Sequence, residues 1–121
     1  MTRNENILKA RLSIITHESK GTLNEESFQN NTLRPILKFQ NEIIIALVKQ
    51  HLEDNFMLKN KVDKIKIIEN FIQKNQIIKN QLIGLTIGFF TSSEFEFYIQ
   101  NQTKINKRIS QLIIKRVSDQ L

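Results

Sequence analysis

The sequence predicts an all-α fold, a compact bundle of five or six helices with orthogonal or irregular packing. Two observations lead there. Turn-forming residues are scarce, with three glycines and one proline in 121 residues, too few to punctuate the many short strands of a sandwich or barrel. Isoleucine is abundant and by propensity alone would favour strands. Its positions nevertheless recur three and four residues apart, the repeat of a helix with one buried face.

The elements follow in order. Thr2 and Glu5 have the spacing of a capping box, opening a first helix over residues 3–18 with Ile7, Leu8, Leu12, Ile14 and Ile15 apolar; Lys20-Gly21 ends it. Thr22 and Glu25 repeat the pattern for a short helix that reaches Gln29 and breaks at Asn30-Asn31-Thr32. Thr32 then caps a third helix with Pro35 in its first turn, where a missing amide costs nothing. This helix runs to Glu53, and its Ile43, Ile44 and Ile45 cover more than one face, which predicts burial on two sides. After a loop over residues 54–61, Val62, Ile65, Ile68 and Ile72 mark a fourth helix with Lys61, Lys64 and Lys74 outward. The apolar stripe drifts near Asn75, predicting a break. The next helix, residues 76–90, is apolar on several faces and is the expected centre of the bundle. Thr91-Ser92-Ser93-Glu94 ends it and caps a final segment reaching Asp119, with Phe95, Ile99, Ile105, Ile109, Leu112, Ile113 and Val117 on one side. No repeat or linker interrupts residues 1–121, which read as a single domain.

Composition narrows the function. Without cysteine there is no disulfide, thiol nucleophile or thiolate metal ligand. Charged residues interleave the first sixteen positions, unlike a signal peptide. The longest apolar run, Leu82 to Phe90, is about half the ~20 residues a spanning helix needs. A cytoplasmic protein without membrane contact is expected. The net charge is +6, and it resides wholly in residues 59–121. A basic half points to an anionic partner, although an AT-rich codon bias would also enrich lysine.

No catalytic or metal-binding motif emerges. His17 and His51 lack the paired spacing of a zinc helix, and there is no nucleophile elbow or phosphate-binding glycine loop. Glu25-Glu26 and Glu94-x-Glu96 sit at helix starts, where the macrodipole favours negative charge. No cofactor is expected. Gly84-x-x-x-Gly88 lets another helix approach closely; a tight internal crossing is the favoured reading and a self-association face the other. If residues 93–99 and 103–116 are separate helices around Gln100-Asn101-Gln102, they form a helix-turn-helix-like unit. Lys104, Asn106, Lys107, Arg108, Gln111 and Lys115 are then residue types suited to phosphates and base edges. The same residues also form the polar side of one uninterrupted helix. Among the clustered aromatics Phe89, Phe90, Phe95, Phe97 and Tyr98, Phe97 points off the main stripe and is the candidate for an exposed interface.

Residues 26–41, ESFQNNTLRPILKFQN, and residues 87–98, IGFFTSSEFEFY, continuing through Asn106-Lys107-Arg108, resemble a family of small bacterial proteins of about this length. Some of its members carry a glyoxalase label. The resemblance spans most of the chain and implies a shared fold. Known glyoxalases hold a metal with His and Glu on paired βαβββ modules, or with a His-rich cluster, and this sequence has neither. The leading expectation is a non-enzymatic interaction or scaffold protein, forming a homodimer or joining another protein. The alternatives are a nucleic-acid-binding regulator using residues 93–116 and an enzyme without a recognised motif.

Overall fold

The computed structural model describes residues 2–12 and 24–121. Among these, every regular element is a helix. In chain order they are α1 (Arg3–Leu12), α2 (Glu25–Phe28), a π-helical stretch (Gln29–Leu33), α3 (Arg34–Phe39), α4 (Asn41–Lys49), a 3-10 turn (Asp54–Leu58), α5 (Lys61–Lys74), α6 (Gln76–Ile87), α7 (Ser92–Gln100) and α8 (Gln102–Gln120). Because α2 and α3 run on through the π-helical stretch as one rod, the described residues make seven α-helices rather than five or six.

The higher count comes from breaks at side-chain amides. At Gln40 the backbone leaves helical geometry (φ −90°, ψ 6°), and the side chain donates to Leu85 O at 3.1 Å. The expected third helix is thereby split into α3 and α4, and it ends at Lys49 instead of Glu53. At Asn101 (φ −131°, ψ 29°) the side chain turns back to Phe97 O at 2.9 Å, so the last segment is two helices. The break near Asn75 is present, with Asn75 Oδ1 capping Ile78 N at 3.1 Å.

Two predicted caps are also present. Thr91 and Glu94 form a complete capping box at α7, and Glu5 N donates to Thr2 Oγ1. Thr32, by contrast, caps nothing: it lies inside the π-helical stretch. Helix α2 is capped by Asn24 together with Ser27. Thr22, the Lys20-Gly21 stop and His17 lie outside the described residues.

The core centres on α8 rather than α6. Ile105, Ile109, Ile113 and Val117 recur every fourth residue and are fully buried or nearly so. From that stripe α8 packs against α4, α5, α6 and α7. Helix α6 buries Ile78, Leu82, Ile83 and Thr86 but leaves Ile77 72% exposed. Its apolar residues spread around the axis, and one side of it has no neighbour among the described residues. No helix among the described residues is long and apolar enough to cross a membrane.

Candidate functional site

One buried ion pair organises the region where α1, the rod and α7 meet. Arg11 of α1 is 1% exposed and donates from both terminal nitrogens to Glu94, at 2.7 and 2.9 Å. Glu94 is available there because it is the third residue of α7. Its Oε1 also accepts Thr91 N at 2.8 Å, and its Oε2 accepts Thr32 Oγ1 at 2.7 Å. Burial by itself would raise the pKa of this carboxyl. The hydrogen bond from Arg11, that from the Thr91 amide, the Arg11 charge and the Thr32 hydroxyl together outweigh burial and hold it below its ordinary value of 4.5. Glu94 is thus a fully engaged anion, the arrangement in which a buried charge is tolerated.

The rod is shaped to meet this pair. Pro35 offers no amide to the carbonyl one turn back, and its ring crowds that carbonyl. The chain answers with a wider turn: Arg34 N reaches Gln29 O, five residues away. The carbonyl that Pro35 leaves, Asn31 O, accepts Nη2 of Arg11 at 3.1 Å. Such π-helical turns are rare and concentrate at functional sites. Here the turn brings Asn31 and Thr32 to the ion pair, while Gln29 and Leu33 line a groove against α8.

That groove has a volume of about 520 Å³. Phe28, Leu33 and Ile105, all buried, form its floor. One wall carries Glu25, Glu26 and Gln29, and the other Lys104, Lys107, Arg108 and Gln111. A second cavity of about 260 Å³ continues along the same two helices, between Arg34 and Leu37 of α3 and Leu112, Lys115, Arg116 and Asp119 of α8. From Lys104 to Gln120 the seam is about 24 Å long, at 1.5 Å per residue. Its charge is graded. Lys104 pairs with Glu25 and Lys115 with Asp119, each at 3.3 Å and well exposed. Among the described residues, no carboxylate pairs with Arg34, Lys107, Arg108 or Arg116. The seam therefore carries Glu25 and Glu26 at one end and, apart from Asp119, is basic from Lys107 onward.

Of the residues singled out in the sequence, Lys104, Lys107, Arg108 and Gln111 share the groove wall, and Lys115 lies further along. Asn106 is turned to α7 and accepts the Tyr98 hydroxyl at 2.7 Å. The turn before α8 is a single residue, Asn101, instead of Gln100-Asn101-Gln102. Phe97 is half-buried, its ring 4.9 Å from that of Phe28, so it belongs to the core margin and not to an exposed surface. Gly84 and Gly88 do not sit in an internal crossing. Both are exposed, and a Cβ on Gly84 would meet nothing within 4 Å among the described residues. Arg34 and Arg116 were not legible as site residues. They are 82 positions apart, and only the packing of α3 beside α8 brings them to one cavity.

Residues 26–41 and residues 87–98 with 106–108 meet here. Phe28 packs edge-on against Phe90 at 5.4 Å, Thr32 bonds Glu94, and Glu26 and Leu33 share the groove with Lys107 and Arg108. Among the described residues no three His, Asp or Glu side chains converge as a metal site would require; His51 is exposed, with its ring near Phe71. No family model, curated protein or solved structure matches the chain. Function is therefore read from the seam itself.

Proposed function

We propose that this chain is a non-enzymatic interaction protein whose rod–α8 seam receives a segment of a partner protein rich in acidic side chains. The observation that carries this reading is the set of seam cations, Arg34, Lys107, Arg108 and Arg116, that lack a carboxylate partner among the described residues. They flank an apolar floor, and the rod wall is braced at Asn31 and Thr32 by the buried Arg11–Glu94 pair. Like charges kept close without counter-charges are complementary to an anionic partner. Glu25 and Glu26 favour a protein segment over nucleic acid, because they repel a uniformly anionic backbone but accept a basic residue at one end of a peptide. A groove between helices also admits a single chain more readily than a duplex. No catalytic role follows for Glu94, whose two oxygens are already engaged by Arg11, Thr32 and Thr91.

The test is fluorescence anisotropy with a labelled ten-residue glutamate-rich peptide bearing one N-terminal lysine, alongside a ten-nucleotide single strand and a random duplex. Preferential, salt-sensitive binding of the peptide supports the reading. Tighter binding of either nucleic acid would replace it with the regulator alternative.

A second reading, self-association, is favoured by a different face. Gly84 of α6 and Gly88 just past its end are exposed, Phe39 stacks on Phe89 at 4.8 Å while remaining 45% exposed, and Ile43, four residues on, is 53% exposed. Apolar side chains gathered around a glycine notch resemble a helix-packing surface. Light scattering decides it: a dimer mass that Ile43→Glu converts to a monomer supports this face, and a monomer at high concentration removes it.

A further inference from the structure

The smaller cavity at the α3–α8 end of the seam contains a more specific arrangement than general basicity. Arg116 is partly buried, and its Nη1 donates to Asn41 Oδ1 at 3.2 Å. Asn41 is itself fixed by a reciprocal amide pair with Gln120, both contacts at 2.8 Å, and Gln120 returns to Arg116 O at 3.1 Å. Arg34 is anchored from its Nε to Asn30 Oδ1 at 3.2 Å. Each guanidinium is thus oriented by a neutral amide through a single nitrogen, and no carboxylate among the described residues occupies the remaining donors. The two cations are near enough that the Arg34 charge adds to the effect of burial in depressing the basicity of Arg116. Two positive groups held this way repel one another at no evident benefit to the fold. Leu37 and Leu112 line the same cavity with apolar surface, which strengthens any charge interaction formed within it.

We propose that Arg34 and Arg116, with Lys115 at the rim, form a binding site for a phosphate monoester dianion. Three cations and the single carboxylate of Asp119 line the cavity, leaving two unbalanced positive charges. A phosphate monoester carries about −1.5 to −2 at neutral pH and presents three strong acceptors. Guanidinium pairs recognise that geometry with two parallel bonds each. A cavity of 260 Å³ is below the roughly 300–1,000 Å³ typical of sites for whole organic ligands, so it suits the phosphate group and not an entire nucleotide. This deepens the seam reading by naming an anchoring group for the partner segment, a phosphorylated side chain. The two readings fail separately, since the peptide of the preceding test carries no phosphate and the probes below contain no peptide.

The experiment is a nuclear magnetic resonance titration of ¹⁵N-labelled protein, following the arginine Nε–H signals, with inorganic phosphate, O-phosphoserine and acetate as separate probes. Saturable shifts at Arg34 and Arg116 are expected with both phosphates, while acetate should bind at least tenfold more weakly. Arg34→Gln and Arg116→Gln should each weaken phosphate binding roughly tenfold or more, the scale of a hydrogen bond to a charged group. Lys66→Gln, exposed on α5 and outside the seam, should leave it unchanged. If O-phosphoserine binds at least as well as inorganic phosphate, the phosphate is recognised as borne on a side chain; a site closed to O-phosphoserine would overturn the proposal. Non-saturating shifts, equal binding of acetate, or affinity indifferent to Arg34→Gln and Arg116→Gln in variants that retain the helical spectrum would overturn it as well.

Discussion

Replacing Glu94 by glutamine is the sharpest perturbation of this fold. The substitution is nearly isosteric, but it removes the only carboxylate paired with Arg11 among the described residues, and Arg11 is 1% exposed. A buried ion pair adds little net stability over an apolar replacement, yet breaking one by removing a single partner costs about 3–5 kcal/mol, because the other charge stays buried alone. The glutamine oxygen can still accept from Thr91 N or Thr32, but its amide hydrogens face the Arg11 donors. The expected loss is therefore about 3–5 kcal/mol, a large part of the roughly 5–15 kcal/mol typical of a domain. In urea this appears as a lower midpoint at unchanged slope, and on heating as a fall of roughly 10–20 °C in Tm. The double variant Arg11→Met/Glu94→Gln leaves no buried charge and should recover most of the loss. A cost below about 1 kcal/mol for Glu94→Gln, or a double variant no more stable than the single one, would refute the account of this pair.

The same carboxylate sets an acid limit. Its folded-state pKa is depressed below the ordinary, unfolded value of 4.5, so its contribution is complete above that value and is lost as pH falls through the folded one. Urea midpoints of the wild type should drop on acidification below about pH 4 more steeply than those of Glu94→Gln; parallel curves would contradict this. Thr32→Val should cost about 1.5–3 kcal/mol by urea titration, since it deletes a buried hydrogen bond to a charged acceptor. Gly84→Ala should stabilise the chain by roughly 0.5–1 kcal/mol, because alanine is the better helix former and its methyl group meets open space; a loss of stability would mean that another surface covers this glycine. Lys104→Ala should shift stability by no more than about 0.5 kcal/mol, its partner Glu25 being exposed.

The all-helical class was legible because spacing and punctuation agree along most of the chain. The Thr91–Glu94 cap and the Asn75 break were legible for the same reason: each depends on residues close in sequence. Gln40 and Asn101 were missed because the apolar stripe continues across them, and what bends the chain is a side chain bonded to a backbone carbonyl, distant in the case of Leu85. The role given to Thr32 differed because Pro35 reads as a helix start. In the fold, Arg11 supplies the bond that Pro35 withholds, and the rod continues through a π-helical turn. A glycine pair four apart signals close approach only where a second helix is present, and among the described residues none covers Gly84. The basic residues of α8 were visible as a set, but Arg34 and Arg116 become partners only through the packing of α3 beside α8.

The most direct test of the central claim compares the wild type with the triple variant Arg34→Gln/Arg108→Gln/Arg116→Gln in binding the glutamate-rich peptide, at 50 and 200 mM salt. The seam account predicts binding at low salt that weakens strongly at high salt and is lost in a triple variant that keeps its helical spectrum. Equal binding by both proteins, or no binding by the wild type at 50 mM salt, would contradict it.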